Sequence, residues 1–196
     1  GAKIQKDGKK ITLQPVDKLR LDRPFEIMTD RNEAITFATL AVATKGQIDI
    51  SPLHPQNIHS FIQKNKEVGA GVDLSERNKI RFYYKGPLKS SRIETSPHPG
   101  FMTDWQPSWA ILMTQASGDS IIQERVFENR FSYVEELRKL GADIDFVKIP
   151  VSNPLEYFFF NFDPSKKYNQ AIRIKGPQKL HAGVLNIADL RAGATL

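Results

Sequence analysis

Three short sequence elements recur along this chain in a fixed order, and a chain that repeats itself must build its fold from copies of one unit. The first element is a β-rich run ending at a proline or Gly-Pro turn: "KITLQPVDKLR", "KIRFYYKGPLKS" and "AIRIKGPQKLHA". The second is an aspartate placed to open a helix, in "IMTDRNEA", "FMTDWQPS" and "NIADLRAG". The third is a helix closing on Val/Leu-Gly-Ala and then a strand, in "EVGAGVDL" and "KLGADIDF". The opening "GAKI" matches the middle of that third element, and "DLRAGATL" stops early in a helix that the other copies continue. Copies are therefore expected at about 11–78, 79–148 and a shortened 171–196, all within one lobe spanning 1–196. The chain is expected to be a fragment. An additional segment, about 150–170, separates the second and third copies.

Within each copy the expected order is strand, strand, helix, strand, helix, strand, an α/β arrangement. Asp30 is placed as an N-cap with Glu33 three residues on, a capping box, and the apolar spacing of residues 31–44 predicts a helix ending near Gly46. "QIDI" reads as a strand, and "NIHSFIQKNKEV" as an amphipathic helix closed by Gly69. In the second copy Asp104 opens a helix with Pro107 in its first turn, where a missing N–H costs little. Gly118 is expected to end that helix, "SIIQERV" to be a strand, and "NRFSYVEELRKL" to be a helix closed by Gly141. The aromatic run "YFFFNF", flanked by "NP" and "DPSKK" turn signals, predicts an extended β-hairpin within 150–170.

Composition narrows the function classes. With 196 residues, 40% hydrophobic and 26% charged, the chain is of ordinary globular make-up. Its apolar runs are too short to cross a bilayer, and residues 1–10 have no apolar core of a signal peptide, so a cytoplasmic location is expected. There is no cysteine, which excludes disulfides, thiolate metal sites and a cysteine nucleophile in this stretch. The net charge of +6 favours anionic partners. The lysines and arginines are scattered rather than interleaved with aromatics, which argues against nucleic acid. His54, His59 and His181 lack any metal-ligand spacing, and no Gly-rich phosphate loop is present.

At "TSPHPGFMTD", "ERVFENRF" and "LNIADLRAGATL" the sequence resembles the UDP-N-acetylglucosamine 1-carboxyvinyltransferase family, and "IMTDRNEAITF" and "LRKLGADI" also stand in the expected order. The resemblance covers nearly the whole chain. It departs in the 150–170 segment, which is longer than usual, and at the aromatic "DWQPSW". It implies one lobe of a two-lobed inside-out α/β barrel, each lobe built from three strand-helix units. The implied reaction moves the enolpyruvyl group of phosphoenolpyruvate to the 3′-hydroxyl of UDP-N-acetylglucosamine, a step of peptidoglycan synthesis, with no cofactor. The resemblance places the site in the cleft between lobes, so a missing N-terminal lobe is an implied partner and the chain alone is expected to be inactive.

Addition to phosphoenolpyruvate needs a base for the hydroxyl proton, an acid for the methylene carbon, and cations for phosphate and carboxylate. The resemblance implies Asp104 as the base, with Asp189 near the reacting atoms and Arg191 holding phosphoenolpyruvate through its bidentate fork. It further implies Val126, Phe127 and Arg130 at the nucleotide sugar and Asp30 and Arg31 facing the cleft; Thr103 and His98 flank Asp104 and are expected among the substrate-binding residues, the histidine shaping that loop. Structural alternatives stand beside these roles. The three aspartates can be helix caps, Arg31 a solvent cation, Arg191 a surface or Asp-paired cation, Phe127 and Phe131 a core pair, and Trp105 and Trp109 core packing. Two other functions remain in view: a relative acting on shikimate 3-phosphate, and a non-catalytic nucleotide-sugar-binding module of the same fold.

Overall fold

Helices stop where the backbone turns left-handed, and this chain stops three of its helices in the same way. A computed structural model of the chain describes residues 2–21 and 23–187. In it, α2 (His59–Glu67) and α4 (Tyr133–Lys139) end at Gly69 and Gly141, with φ of +92° and +93°. Beyond each glycine an N–H reaches back to close the last turn: Ala70 to the Asn65 carbonyl at 2.9 Å, Ala142 to the Leu137 carbonyl at 3.1 Å. Both are Schellman ends, and glycine supplies the left-handed φ without a Cβ penalty. The first helix, α1 (Arg31–Ala43), closes in the same pattern, Gly46 N–H donating to the Ala41 carbonyl at 2.7 Å, but there the left-handed residue is Lys45, at φ +61°. At its other end Asp30 caps the helix, accepting from Asn32 N–H at 2.8 Å and Glu33 N–H at 3.4 Å.

Two sheets follow one plan. In the first, β5 (Ile80–Tyr83) lies between β3 (Gln47–Ile50) and β4 (Gly71–Asp73), antiparallel to both. In the second, β10 (Ala171–Gly176) lies between β8 (Ala116–Gln123) and β9 (Ile144–Phe146), again antiparallel to both. Two short strands, β6 (Leu88–Lys89) and β7 (Arg92–Glu94), add to β8 in parallel. The helix between β8 and β9 is α4, as α2 lies between β3 and β4. A separate hairpin, β1 (Lys3–Asp7) with β2 (Lys10–Gln14), pairs Ile4 with Leu13 and Lys6 with Ile11.

The helices contribute the core. The third long helix, α3 (Gln106–Thr114), packs on α1, and Trp105 and Trp109 are fully buried beside Phe61, Phe82 and Phe101. Ring centroids in this group lie 5.4–6.3 Å apart, mostly tilted or edge-on, the geometry that aromatic quadrupoles favour. Trp105 Nε1 donates to Asn32 Oδ1 at 2.9 Å, tying α1 to the start of α3. The tryptophans are core residues, and so is Phe131, 3% exposed.

Three expectations change. Gly118 does not end a helix: α3 stops at Thr114 and β8 begins at Ala116, because Leu88 and Lys89 of β6 pair with Ala116 and Ser117 and draw them into the sheet. Gly118 then sits inside β8 at φ +101°. Asp104 does not cap α3 either; it lies within a 3-10 turn, Thr103–Trp105, and the residues at the N-caps of that turn and of α3 make no side-chain cap. The 150–170 segment is not a hairpin. It forms one helical turn, α5 (Pro154–Tyr157), and then an irregular path in which Phe158, Phe160, Phe162 and Tyr168 pack on one another at 5.0–6.4 Å. Aromatic composition signalled shielding from water here, and the rings are half-buried against one another by clustering rather than by strand pairing. Asp163 Oδ1 accepts from the Ser165 N–H and hydroxyl, which turns the chain back.

Two of these features have measurable effects on stability. A left-handed lysine costs about 1–2 kcal/mol relative to glycine, partly offset by the contact of its ammonium with the Tyr84 ring at 5.8 Å. Lys45→Gly is expected to raise stability by about 1 kcal/mol net, read as a melting temperature about 2–4 °C higher. The second feature is the cross-strand pair Asp49–Arg81, where Arg81 Nε and Nη2 donate to the two Asp49 oxygens at 2.5 and 2.9 Å. These hydrogen bonds hold the Asp49 carboxyl well below its ordinary value, at about 2. A depressed carboxylate stabilises above its unfolded pKa and loses that effect as the pH falls through its folded one. Asp49→Asn should therefore melt earlier than the parent at pH 7, with the gap closing by about pH 2.

Candidate active site

Glu124 is fully buried, and a carboxylate in that position has to be met by hydrogen-bond donors. It stands just past the end of β8, where the chain leaves the sheet. Oε1 accepts from the backbone N–H groups of Val126 at 2.7 Å and Phe127 at 2.9 Å. Oε2 accepts from Thr103 Oγ1 at 2.7 Å and Gln106 Nε2 at 2.5 Å. Those four donors are neutral and fill the acceptor positions of the carboxylate. Gln106, also fully buried, is oriented in turn by the Tyr133 hydroxyl, which donates to its Oε1 at 2.8 Å. One side chain thus fixes both the turn that carries Asp104 and the loop that carries Val126 and Phe127.

Arg130 joins the same two segments from the solvent side. Its Nη2 donates to Asp104 Oδ1 at 2.7 Å and its Nη1 to Thr103 Oγ1 at 3.1 Å. The guanidinium carbon also lies 5.2 Å from the centroid of the Phe127 ring. Phe127 is 52% exposed, so this ring is offered to solvent rather than to the core. The preceding loop is closed by Ser96 N–H to the Phe101 carbonyl at 2.8 Å and Gly100 N–H to the Pro97 carbonyl at 2.9 Å. A Cβ at Gly100 would collide with the Ser96 hydroxyl and crowd Ser96 Cβ and the Pro97 carbonyl, so a side chain there would force Ser96 to move.

These segments enclose a hollow of about 640 Å³ lined by Arg31, Ser96, Pro97, His98, Met102, Thr103, Asp104, Val126, Phe127, Glu128 and Arg130. Arg31 enters from the first turn of α1, and its guanidinium has no ion-pair partner among the described residues. The arrangement offers a cation without an ion-pair partner among the described residues, a carboxylate held in orientation by an arginine, and an exposed aromatic face. Those are the parts needed to bind an anionic, ring-bearing ligand and to take a proton from one of its hydroxyls. Two other hollows are less suited to chemistry. One, about 500 Å³ beside α1 and α3, has Lys179 as its one charged side chain among the described residues. The other, about 590 Å³ under the 150–170 segment, has three lysines and, among the described residues, no carboxylate.

Of the candidates named from the sequence, the structure brings Arg31, His98, Thr103, Asp104, Val126, Phe127 and Arg130 together around one hollow. Asp30 is not among its lining; its carboxylate caps α1. Asp189 and Arg191 lie outside the described residues. Sequence reasoning passed over Glu124, Gln106 and Gln170. Gln170 Nε2 donates to the carbonyls of Glu124 and Phe127 at 3.1 and 2.9 Å, and its Oε1 accepts from Asn129 N–H at 2.7 Å. Only Glu124 had a signal: an acid inside the run "SIIQERV" read as a strand, near the apolar pair Ile121 and Ile122.

Comparison with known proteins gives this geometry its relatives. The model of the family described as EPSP synthase (3-phosphoshikimate 1-carboxyvinyltransferase) matches residues 1–196. A protein named UDP-N-acetylglucosamine 1-carboxyvinyltransferase in Protochlamydia amoebophila is 37% identical over 97% of this chain and 41% of its own length. One of the same name in Thermodesulfovibrio yellowstonii is 36% identical over 100% of this chain and 42% of its own. The chain thus spans about two fifths of the length of these relatives. Among solved structures, the enolpyruvyl transferase NikO from Streptomyces tendae superimposes with a TM-score of 0.74 at 22% identity, over 100% of this chain and 42% of that one, a likeness of fold.

Replacing Glu124 by glutamine turns one of the two accepting oxygens into a donor that faces donors. Each buried donor left unmet costs about 1–3 kcal/mol, so Glu124→Gln is expected to lose at least about 2 kcal/mol in a denaturant titration. The amide resonances of Val126 and Phe127 should move most.

Proposed function

This chain belongs to the EPSP synthase (3-phosphoshikimate 1-carboxyvinyltransferase) family, and within it we propose that it is part of an enzyme that transfers the enolpyruvyl group of phosphoenolpyruvate to the 3′-hydroxyl of UDP-N-acetylglucosamine, as a step of peptidoglycan precursor synthesis. The observation that carries this reading is the hollow in which Asp104, Arg130, Phe127 and Arg31 converge. The names of relatives at 36–37% identity over nearly all of the chain support the UDP-sugar as acceptor rather than shikimate 3-phosphate. The relatives' greater length supports a second lobe as the partner that completes the site, with this chain inactive alone; the cytoplasm is the proposed location, where the precursor sugar nucleotide would be met.

In the proposed reaction Asp104 takes the proton of the sugar hydroxyl as its oxygen bonds to C2 of phosphoenolpyruvate, while C3 gains a proton. Loss of a C3 proton and of inorganic phosphate then restores the double bond, leaving the enolpyruvyl ether. Arg130, by holding Asp104 Oδ1, keeps the carboxylate oriented toward the hollow. Phe127 gives the nucleotide sugar an apolar face, and Arg31 offers a cation to its diphosphate. His98 shapes the rim, and Asp30 serves at the edge by setting the start of α1. Asp189 and Arg191 are assigned to phosphoenolpyruvate, the arginine as a bidentate partner of its phosphate or carboxylate.

Titration with UDP-N-acetylglucosamine, followed by backbone amide shifts, tests the acceptor. Saturable shifts centred on Asp104, Val126 and Phe127 are expected, with none from shikimate 3-phosphate. The reverse pattern, or silence at millimolar UDP-sugar, would overturn the assignment. In the full-length protein Asp104→Asn should lower kcat by about 10²–10⁴, the usual contribution of a positioned base; turnover within threefold of the parent would remove Asp104 from that role.

A further inference from the structure

We infer that the 150–170 segment sets the conformation of the loop 124–130, and that Arg125 is the positioning residue through which it acts. The loop's outer residues, Phe127, Glu128 and Asn129, are exposed, and Asn129 is left-handed at φ +51°, so little of their own packing holds them. The segment grips the loop at two places. At the first, Arg125 Nε and Nη2 donate to the Tyr157 carbonyl at 3.1 and 3.0 Å and Nη1 to Glu94 Oε2 at 3.3 Å. The guanidinium carbon lies 4.1 Å from the Tyr157 ring centroid and 5.1 Å from that of Phe159, a cation between two aromatic faces. The Phe159 N–H donates back to the Arg125 carbonyl at 2.8 Å. Burial, and then the neighbouring Glu94 carboxylate, push the Tyr157 phenol up to about 12.

At the second place Gln170 holds the Glu124 and Phe127 carbonyls and the Asn129 N–H, and Asn169 N–H donates to Asn129 Oδ1 at 2.7 Å. Between the two grips the segment is stiffened by its own rings, Phe158 stacked on Phe162 at 5.4 Å and 11°. An ornamental insertion would bond within itself and to its flanking strands. This one, besides its internal bonds such as Ser165 to Asp163, places polar contacts on the residues flanking and including Val126 and Phe127, which line the candidate site.

Hydrogen exchange at Val126 and Phe127, whose amides donate to Glu124, reads the loop directly. In this chain Arg125→Lys keeps the charge but removes the fork; protection at both amides is expected to fall about tenfold, with Ile80 and Phe82 in β5 unchanged. Phe159→Ala removes one face of the sandwich at a residue 54% exposed, and a several-fold fall is expected there too. Unchanged protection at Val126 and Phe127 in both variants would overturn the inference. Should Arg125→Lys lower protection throughout, the Phe159→Ala result decides. A second readout rests on the proposed function: in the full-length enzyme Arg125→Lys should raise half-saturating UDP-N-acetylglucosamine about tenfold without raising that of phosphoenolpyruvate. Equal losses for both substrates would make Arg125 a general support and count against the inference. Failure of the parent to bind the UDP-sugar would instead sink the proposed acceptor, leaving the exchange result to stand alone.

Discussion

The candidate site depends on a carboxylate that faces away from it. Glu124 accepts from two side chains on the turn holding Asp104 and from two backbone amides on the loop holding Phe127. Buried polar groups of this kind stabilise only when every partner is present, because each unmet donor in a low-dielectric interior costs more than a single hydrogen bond returns. The geometry is therefore all-or-none. The turn, the loop and the orientation of Gln106 by Tyr133 either hold together or are lost together. That leaves Asp104 and Arg130, at the water-facing side of the network, to be positioned without being buried.

The repeat shows how one local pattern serves two ends. Asp30 and Asp104 occupy matching places ahead of α1 and α3, yet Asp30 spends its carboxylate on its helix while Asp104 gives one oxygen to Arg130. The difference lies in the residues on the C-terminal side of each aspartate. After Asp30 the chain enters an α-helix directly, so the free N–H groups of Asn32 and Glu33 point back at the carboxylate. After Asp104 a 3-10 turn intervenes and Pro107 removes one donor, and the carboxylate turns outward.

Much of this was legible in the sequence, and the parts that were not share a physical cause. Helix ends at Gly69 and Gly141 followed from glycine's freedom at positive φ, a local property. Strands at "QIDI", "GVDL" and "DIDF" followed from their place in the repeat. The gathering of Arg31, His98, Thr103, Asp104, Val126, Phe127 and Arg130 was foreshadowed by family resemblance, not by spacing; these residues lie on separate segments that only tertiary structure joins. Gln106, Gln170 and Arg125 were silent because a polar residue reads as solvent-facing until its partners are known, and theirs lie on distant segments. Gly118 misled because glycine both ends helices and permits strand distortions, and the deciding factor, pairing with β6, is non-local. The 150–170 segment misled for a related reason: aromatic richness reports burial, and strand pairing is only one way to achieve it.

The order of strands has a consequence for how such a chain comes to be folded. In each three-stranded arrangement the middle strand is the last made: β5 enters between β3 and β4, and β10 between β8 and β9. During synthesis from the N-terminus, β3 and β4 must wait for Ile80–Tyr83 before either has a neighbour to bond. The second sheet waits longer, because the 150–170 segment must emerge before β10 does. Closure of each sheet is thus a late, non-local event of the kind that slows folding. Until it happens the strand edges are open, and a nascent chain interrupted between Phe146 and Ala171 would present β8 and β9 to any passing strand.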